Sequence, residues 1–296
     1  MLELVVVVKP VARGADRAVD AVLRAAVAAG LDARVVPTSV AEPGGPQARD
    51  AVAAGAAGVV VIGGDGTVRA VAEQLAGTRV PLGIVPRGTA NLFARNLGLP
   101  RDARAASVAV AGAPTPTDLG RARLERADGR VDEEPFLIVV GAGHDALTIE
   151  AASLRAKDRL GWPAYVAAGV GRMRLPGFRV RGTFDGASAR AQPWSVLVHS
   201  AAELPAGLRV VPGTSLRDGR LHVVAVSPRR PRDWVRIAAS GAGIGRAAGV
   251  LGTRVVRRVV LEGLDDLLPV QIDGDPMGRA VRIHAEVRPG SLLVRT

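Results

Sequence analysis

Short apolar runs alternate with amphipathic stretches over the first third of the chain. Leu2–Val8 is a continuous apolar run of strand length, and Asp16–Ala29 carries apolar residues at helical spacing before Gly30, a common helix stop. The predicted elements are strands Leu2–Val8, Ala33–Val36, Gly58–Ile62 and Pro81–Val85, and helices Asp16–Ala29, Gln47–Ala54, Thr67–Leu75 and Thr89–Leu97. Their alternation predicts an α/β domain with a parallel sheet and helices on both faces.

The pattern changes near residues 114–116, where Pro-Thr-Pro precedes a series of strand-like segments. The predicted strands are Asp118–Leu124, Phe136–Val140, Arg179–Phe184, Trp194–His199, Leu221–Val226, Arg254–Leu261, Val270–Ile272 and Val281–Ala285, with Asp-Gly turns at 128–129, 185–186 and 218–219. Helical stretches are predicted at Ala146–Arg172 and Pro231–Gly243. We therefore predict an α/β domain over residues 1–117 and a β-rich domain, a β-sandwich, over residues 118–296, with the last strand free to return to the first domain.

Composition and charge narrow the function classes. The chain is 48% apolar and so can bury a substantial core, yet no apolar run approaches the ~20 residues of a membrane-spanning helix. The start of the chain lacks the basic region of a signal peptide, so we expect a cytoplasmic protein. The net charge of +11 suits nucleic acid or an anionic membrane, but an aromatic content of 3% is too low for base-stacking surfaces. Nucleic acid is therefore not an expected partner.

A glycine-rich turn after the third predicted strand is the strongest candidate for chemistry. Residues 59–67 read VVVIGGDGT and lead into a predicted helix. Gly63, Gly64 and Gly66 allow backbone N–H groups to approach phosphate oxygens, and the helix N-terminus adds a partial positive charge. Asp65 is a carboxylate that could hold nucleotide-bound Mg²⁺, with Thr67 beside it. A tight turn in which Asp65 caps the helix explains this motif alone about equally well.

A second loop, residues 86–91 with the sequence PRGTAN, joins the next predicted strand to the next helix. Ligands collect at the carboxyl ends of the strands in a parallel sheet, so both loops should face one cleft. Arg87 offers a fork for phosphate, Gly88 permits close approach, and Thr89 and Asn91 supply neutral hydrogen-bonding groups.

The ends of the first two predicted strands fall at the same edge of the sheet. Lys9-Pro10 through Gly14 follows the first strand, and Thr38 ends the second. Four strand ends that carry Gly, Thr, Lys and Asp indicate a nucleotide site rather than four unrelated turns.

Asp273 and Asp275 flank Gly274 at the end of a predicted strand near the end of the chain. Phosphoryl transfer needs positioning, charge neutralisation and a base for the attacking hydroxyl. Such a pair could provide one carboxylate for a metal ion and one for the proton. Taken alone, the pair is more typical of a solvated β-turn.

Taken together, these motifs resemble the diacylglycerol kinase catalytic family, which includes the sphingosine and ceramide kinases. The resemblance rests on GGDGT at 63–67, PRGTAN at 86–91, GAGHDA at 141–146, Lys157 with LGWPAY at 160–165, Pro212-Gly213 with DGRL at 218–221, and QIDGDP at 271–276. It covers nearly the whole chain in order. It implies an N-terminal domain like that of NAD kinase or phosphofructokinase, a C-terminal β-sandwich, and an ATP-dependent kinase that phosphorylates a lipid hydroxyl, with diacylglycerol as the favoured acceptor.

The resemblance also implies roles for particular residues in the first domain. ATP would be bound by Lys9–Gly14, Thr38, the Gly64–Thr67 turn and Thr89, and Asp65 would help to position Mg·ATP.

In the second domain, the resemblance implies that Asp275 is the catalytic base, with Asp273 beside it. It further implies a structural Mg²⁺ at Asp218, assisted by carbonyl groups near Ser215 and Arg220.

Two alternatives to a lipid kinase stay open at this point. An NAD kinase or phosphofructokinase-like enzyme also carries a Gly-Gly-Asp-Gly turn and would act on a soluble acceptor. A non-catalytic sensor of nucleotide or anionic lipid is favoured by Arg69-Ala70, which replaces the Asn-Glu pair that the family usually has after the glycine-rich turn.

The expected partners follow from these interpretations. A lipid kinase without a spanning helix must dock on the bilayer or extract its substrate, so we expect peripheral association with an anionic membrane surface. Lys9 and Lys157 are the only lysines among 39 basic residues, so an arginine-rich codon usage explains the charge equally well. A homodimer is compatible with the sequence.

Overall fold

A computed structural model describes residues 3–155, 175–204, 213–228 and 249–296, together with residues 211, 230, 232, 233, 236, 237 and 239. The chain forms two compact units, Met1–Leu119 with Arg288–Thr296, and Gly120–Val287. The predicted boundary between residues 117 and 118 lies inside strand β5 (Pro114–Glu125), which contributes residues to both units. The end of the last strand belongs to the first unit.

The first unit is built on a parallel sheet. Its elements are β1 (Glu3–Val8), α1 (Ala15–Ala28), β2 (Asp32–Pro37), α2 (Gly45–Ala53), β3 (Gly58–Gly63), α3 (Asp65–Leu75), β4 (Leu82–Pro86), α4 (Leu92–Asn96) and α5 (Arg104–Ala111). The strand order is β2-β1-β3-β4, and all three pairings are parallel. Every residue of β3 is buried, because α1 packs with α5 and α2 packs with α3 to cover the sheet.

Two features of the first unit differ from the sequence prediction. The helix predicted at Thr89–Leu97 is only Leu92–Asn96, because residues 88–91 form a loop that Asn91 closes with its side chain. Helix α5 (Arg104–Ala111) was not predicted, because small apolar residues at almost every position hide the helical spacing of its buried residues.

The second unit is a β-sandwich, as predicted. Its elements are β6 (Val131–Phe136), β7 (Val139–Gly143), α6 (His144–Arg155), β8 (Val180–Phe184), β9 (Ala187–Ala191), β10 (Ser195–His199), β11 (Leu221–Val226), β12 (Leu251–Val256), β13 (Arg258–Gly263), β14 (Leu268–Ile272), β15 (Asp275–Ala280) and most of β16 (Arg282–Arg295). One sheet has the order β12-β11-β10-β7-β14-β15, and its pairings are all antiparallel. The other contains β16, β13, β8 and β9 in that order, with β5 and β6 alongside. One apolar core joins residues of both sheets.

Two predicted strands are broken in the structure, each by an aspartate. Phe136–Val140 spans the end of β6 and the start of β7, and the backbone N–H groups between them donate to Asp273. Arg254–Leu261 divides into β12 and β13, and the N–H groups of the two residues at the break donate to Asp185. Both aspartates have a positive φ, 50° and 46° respectively.

Part of the prediction lies outside the described residues. The helix predicted at Ala146–Arg172 is described as α6 as far as Arg155, and the rest falls outside. Lys157, residues 160–165, Pro212 and most of Pro231–Gly243 also lie outside the described part of the chain.

Candidate active site

The carboxyl ends of the four parallel strands lie side by side. The N–H of Lys9 donates to the carbonyl of Ile62 at 3.0 Å, and the N–H of Thr38 donates to that of Val8 at 2.8 Å. The N–H of Arg87 donates to the carbonyl of Gly63 at 2.8 Å. The structure therefore brings the ends of β1, β2, β3 and β4 together at one sheet edge, where a parallel sheet binds its ligands.

The glycine-rich turn and the 86–91 loop touch each other through bare backbone. A Cβ atom on Gly88 would lie 2.5 Å from the Cα of Gly64, and a Cβ on Gly64 would lie 3.0 Å from the Cα of Gly88. Both positions have room only for hydrogen, although neither needs a positive φ. Glycine is required here by the close approach of the two loops.

Asp65 links the two loops. It is the first residue of α3, and its carboxylate accepts hydrogen bonds from the N–H groups of Leu92 and Phe93, each at 3.1 Å. These donors are at the start of α4, so Asp65 satisfies amides that the short helix leaves unpaired. Each carboxylate oxygen keeps further acceptor capacity, so the residue also fits a role toward the Mg²⁺ that accompanies a nucleotide.

Asn91 shapes the second loop from inside. Its side chain is buried, with 4% exposed, and its backbone has a φ of 47°. The Oδ1 atom accepts from the N–H of Gly88 at 2.8 Å, and the Nδ2 group donates to the carbonyl of the same glycine at 2.8 Å. The amide is thus used to close the loop, and Thr89 in the middle of the loop is exposed.

The other predicted residues of the first unit differ in exposure. Thr67 is buried, with 6% exposed, and packs against the position where Gly63 lacks a side chain. Lys9, Pro10 and Gly66 are exposed.

An open cleft of about 590 Å³ lies against the loop that follows β1. It is lined by Arg13, Gly14, Asp16, Arg17 and Arg87. Gly14 takes a φ of 70° as the N-cap of α1, so the loop turns left-handed directly before the helix. The Nε of Arg87 is buried and has no hydrogen-bond partner among the described residues. Three guanidinium groups at a cleft on the ligand-binding edge of the sheet favour an anionic ligand.

In the second unit, Asp273 and Gly274 form the two-residue turn between β14 and β15. Their φ angles are 50° and 92°, as a type I′ hairpin turn requires, and Ile272 pairs with Asp275 across it. The Asp273 carboxylate accepts three backbone N–H bonds, from Leu137 at 2.7 Å and from the next two residues at 2.8 and 2.9 Å. Asp273 therefore anchors the turn, whereas the Asp275 side chain is exposed at its end.

The turn at Asp218, predicted to hold a structural Mg²⁺, is closed by hydrogen-bond donors. The carboxylate accepts from the N–H groups of Ser215 at 3.2 Å and Arg220 at 2.9 Å, and the Nε2 of His222 lies 3.1 Å away. The carbonyl of Ser215 accepts the N–H of Asp218 itself at 3.3 Å. These bonds order the turn, and the Asp218 carboxylate and the Ser215 carbonyl both keep further acceptor capacity, so the Mg²⁺ at this turn stays a prediction.

The Asp218 and Asp273 turns share one edge of the antiparallel sheet without being neighbours. His222 pairs with His199 and His199 with Val139, whose carbonyl accepts the N–H of Asp273. Two strands, β10 and β7, lie between the two turns, which corresponds to roughly 14 Å at normal strand spacing. The structure does not bring these two predicted groups together.

The amino-acid sequence matches the models of two domain families and several known proteins. The diacylglycerol kinase catalytic domain model matches residues 3–122, and the YegS C-terminal NAD kinase β-sandwich-like domain model matches residues 138–296. A Pseudomonas aeruginosa protein named "Probable lipid kinase YegS-like" is 33% identical over 295 residues, which cover 92% of this chain and 88% of that protein. The chain belongs to the YegS-like lipid kinase family.

Solved structures agree with this family in fold. A diacylglycerol kinase from Bacillus anthracis str. Sterne superposes with a TM-score of 0.72 at 20% identity, covering 99% of this chain and 96% of that one. Yeast NADH kinase, in complex with NADH, superposes with a TM-score of 0.53 at 10% identity over 99% of this chain and 82% of that one. The predicted similarity in fold to diacylglycerol kinase and to NAD kinase is confirmed. In the described part of this lipid kinase, no helix is long and apolar enough to cross a membrane.

Two polar groups next to the Asp273 turn, Gln271 and Asp145, have no role that the sequence predicts. Gln271 is buried and hydrogen-bonded to both Asp145 and the N–H of Gly274. In the sequence, Gln271 and Asp145 belong to two separate motifs and lie 126 residues apart. No sequence signal connects two such positions.

Proposed function

We propose that this lipid kinase uses ATP and transfers its γ-phosphoryl group to a lipid hydroxyl, with diacylglycerol as the favoured acceptor. The observation that carries the proposal is the contact between Gly64 and Gly88, which leaves two loops of bare backbone at the ligand-binding edge of the parallel sheet. Backbone amides at such a turn, next to the N-terminus of α3, form a favourable environment for phosphate oxygens.

The nucleotide would be bound by residues of the first unit. Its phosphate chain would lie against the turn from Gly63 to Thr67 and the loop from Arg87 to Asn91, with Lys9, Pro10, Gly14 and Thr38 at the neighbouring strand ends. The guanidinium groups of Arg13, Arg17 and Arg87 would offset the charge of the phosphates. Asp65 would face the Mg²⁺ of Mg·ATP, which screens the charge that develops on the transferred group.

Asp275 would act as the general base. It would accept the proton of the lipid hydroxyl while the oxygen attacks the γ-phosphorus, and the bond to the β,γ-bridging oxygen would break to release ADP. Asp273 would contribute indirectly, because its carboxylate oxygens already accept three backbone N–H groups and it anchors the turn. No step is assigned to Asp218, Ser215 or Arg220.

Family membership supports a lipid acceptor over a soluble one. The likeness to yeast NADH kinase, at 10% identity, concerns the fold alone. Diacylglycerol is favoured because the family model that matches the first unit is that of the diacylglycerol kinase catalytic domain.

Docking to an anionic membrane surface would bring the enzyme to its substrate. The net charge of +11 supports screened attraction to anionic lipids. Sedimentation with phosphatidylglycerol-containing vesicles should exceed sedimentation with phosphatidylcholine vesicles, and the difference should shrink as salt is raised. Equal binding to both vesicle types would remove charge as the cause.

The test of the proposed function is transfer of labelled γ-phosphate from ATP·Mg²⁺ to lipid alcohols in mixed micelles. The panel should contain diacylglycerol, a sphingoid base, ceramide and a polyprenol, with NAD as the soluble acceptor. Transfer to diacylglycerol above all others is expected. Transfer to another lipid would keep the kinase and change its acceptor. Binding of ATP without transfer to any acceptor would support the sensor that Arg69-Ala70 suggested.

A further inference from the structure

Gln271 makes one hydrogen bond with each end of its amide, one to the turn that precedes Asp275 and one to Asp145 at the start of α6. Only 1% of the side chain is exposed. Its Oε1 accepts from the N–H of Gly274 at 2.9 Å, and its Nε2 donates to the Oδ2 of Asp145 at 3.0 Å. A carboxylate only accepts and an amide N–H only donates, so a single orientation of the Gln271 amide satisfies both neighbours.

Gln271 can reach Asp145 because Gly141, the residue opposite it on the neighbouring strand, has no side chain. Gln271 pairs with Gly141 between β14 and β7. A Cβ atom on Gly141 would lie 2.4 Å from the Gln271 Nε2 and 2.4 Å from the Asp145 Oδ2. The Gln271–Asp145 bond therefore occupies the gap that a glycine leaves in the sheet, and any larger residue at position 141 would separate the pair.

Asp145 is itself anchored. It lies in the first turn of α6, directly after β7, and its backbone N–H donates to the Oγ of Ser195 at 2.7 Å. Ser195 is buried, with 2% exposed, at the start of β10. Asp145, which accepts the bond from Gln271, is therefore held by both β7 and β10. A displacement of Asp145 would disturb these strands.

We propose that Gln271 is a positioning residue for phosphoryl transfer, with Asp145 as the group that orients it; the inference rests on the proposed function. The Asp273 carboxylate anchors one side of the two-residue turn through three amides, and Gln271 anchors the other through the N–H of Gly274. Together they fix the first residue of β15, Asp275. A displacement of the catalytic base by about 1 Å lowers the rate on the order of 100-fold. Accurate placement of Asp275 therefore depends on a turn that is anchored on both sides.

The test exchanges the two partners of the bond. Gln271→Glu places a second carboxylate against Asp145, and the double variant Gln271→Glu with Asp145→Asn restores a donor facing an acceptor. In diacylglycerol phosphorylation, we expect Gln271→Glu to lower kcat roughly 10- to 100-fold with KM for ATP unchanged. The kcat of the double variant should be within about threefold of the kcat of Asp145→Asn alone. Gln192→Glu, which adds the same charge on an exposed side chain, should behave as wild type.

Two results would overturn the proposal. One is a double variant whose fold-loss in kcat equals the product of the fold-losses of the two single variants. The other is a loss from Gln271→Glu that is equally large in an Asp275→Asn background, because a residue that acts through Asp275 has nothing left to position there.

A second readout does not depend on turnover and separates this inference from the proposed function. In [¹⁵N]glycine-labelled protein, Gln271→Met should speed amide exchange at Gly274 at least roughly tenfold, since its N–H loses its acceptor. Exchange at Gly290, whose N–H donates to Asp118, should not change. Unchanged exchange at Gly274 would refute the positioning role even if the wild type phosphorylated no lipid.

Discussion

Asp273 and Asp275 stand two residues apart, and the structure predicts opposite consequences for the same substitution at each. Asp273→Asn should destabilise the second unit strongly, because this carboxylate accepts three backbone N–H bonds. Asp275→Asn should leave stability nearly unchanged, because the Asp275 side chain is exposed. The two variants make the same chemical change, at a carboxylate bonded to three backbone amides in one case and at an exposed side chain in the other.

The size of the Asp273 effect follows from its contacts. Asparagine tolerates a φ of 50°, so the turn itself survives the substitution. Its single carbonyl oxygen can keep the N–H groups of Ile138 and Val139, whereas its amide group would face the N–H of Leu137. Loss of one bond to a charged acceptor and one unsatisfied amide cost about 3 kcal/mol together. That loss lowers the melting temperature of a unit of this size by about 6–12 °C.

Calorimetry and urea unfolding of both variants test this reasoning. An Asp273→Asn protein that melts within a degree of wild type would refute the anchoring role of the carboxylate. Equal destabilisation by both substitutions would show that the exposed position of Asp275 is wrong. At a temperature where both variants are folded, phosphoryl transfer should be lost in Asp275→Asn and weakened in Asp273→Asn.

Three further predictions concern other parts of the chain. Gly88→Ala should raise KM for ATP at least roughly tenfold, since a Cβ would lie 2.5 Å from the Cα of Gly64; an unchanged KM would contradict the two-loop site. Arg13→Gln should weaken ATP binding more at low salt than at high salt, measured by calorimetric titration, and equal weakening would exclude a charge effect. Burial lowers the pKa of His199 to about 4, so as pH falls this histidine binds a proton in the unfolded chain before it does so in the folded chain. The free energy of unfolding should therefore drop by up to about 3 kcal/mol between pH 6.5 and pH 4, and His199→Asn, which keeps a donor for the carbonyl of Ala201, should flatten that dependence in urea unfolding.

The parallel-sheet unit could be predicted from the sequence because each of its elements carries a local signal. The apolar runs of β1 and β3 and the periodicity of α1 are visible within a few residues. The glycine-rich turn and the 86–91 loop could also be placed at one edge, since topology alone brings the carboxyl ends of parallel strands together. The family resemblance drawn from these motifs is confirmed by the family models.

The parts that could not be predicted depend on contacts between distant residues. The break between β6 and β7 exists because three amides donate to Asp273, which is more than 130 residues away. The break between β12 and β13 has the same cause at Asp185. The strand-like pattern continues through both breaks, because it carries no information about which distant side chain will accept a backbone amide.

Contacts between distant residues also limited the roles that could be assigned to single carboxylates from the sequence. The family resemblance implies that Asp275 is the base, but no feature of the sequence shows that the Asp273 carboxylate accepts three backbone amides. The Asp218 turn could be recognised as a candidate Mg²⁺ site, but its bonds to the N–H groups of Ser215 and Arg220 and its contact with His222 could not be predicted from the sequence.

The role proposed for Asp275 is that of the base for phosphoryl transfer from ATP to a lipid hydroxyl. Its most direct test is single-turnover transfer of labelled γ-phosphate from ATP·Mg²⁺ to diacylglycerol in mixed micelles, by wild type and by Asp275→Asn, with ATP affinity measured on the same samples. We expect ATP affinity within about twofold of wild type and a transfer rate at least about 100-fold lower in the variant. Transfer by Asp275→Asn at the wild-type rate would contradict it.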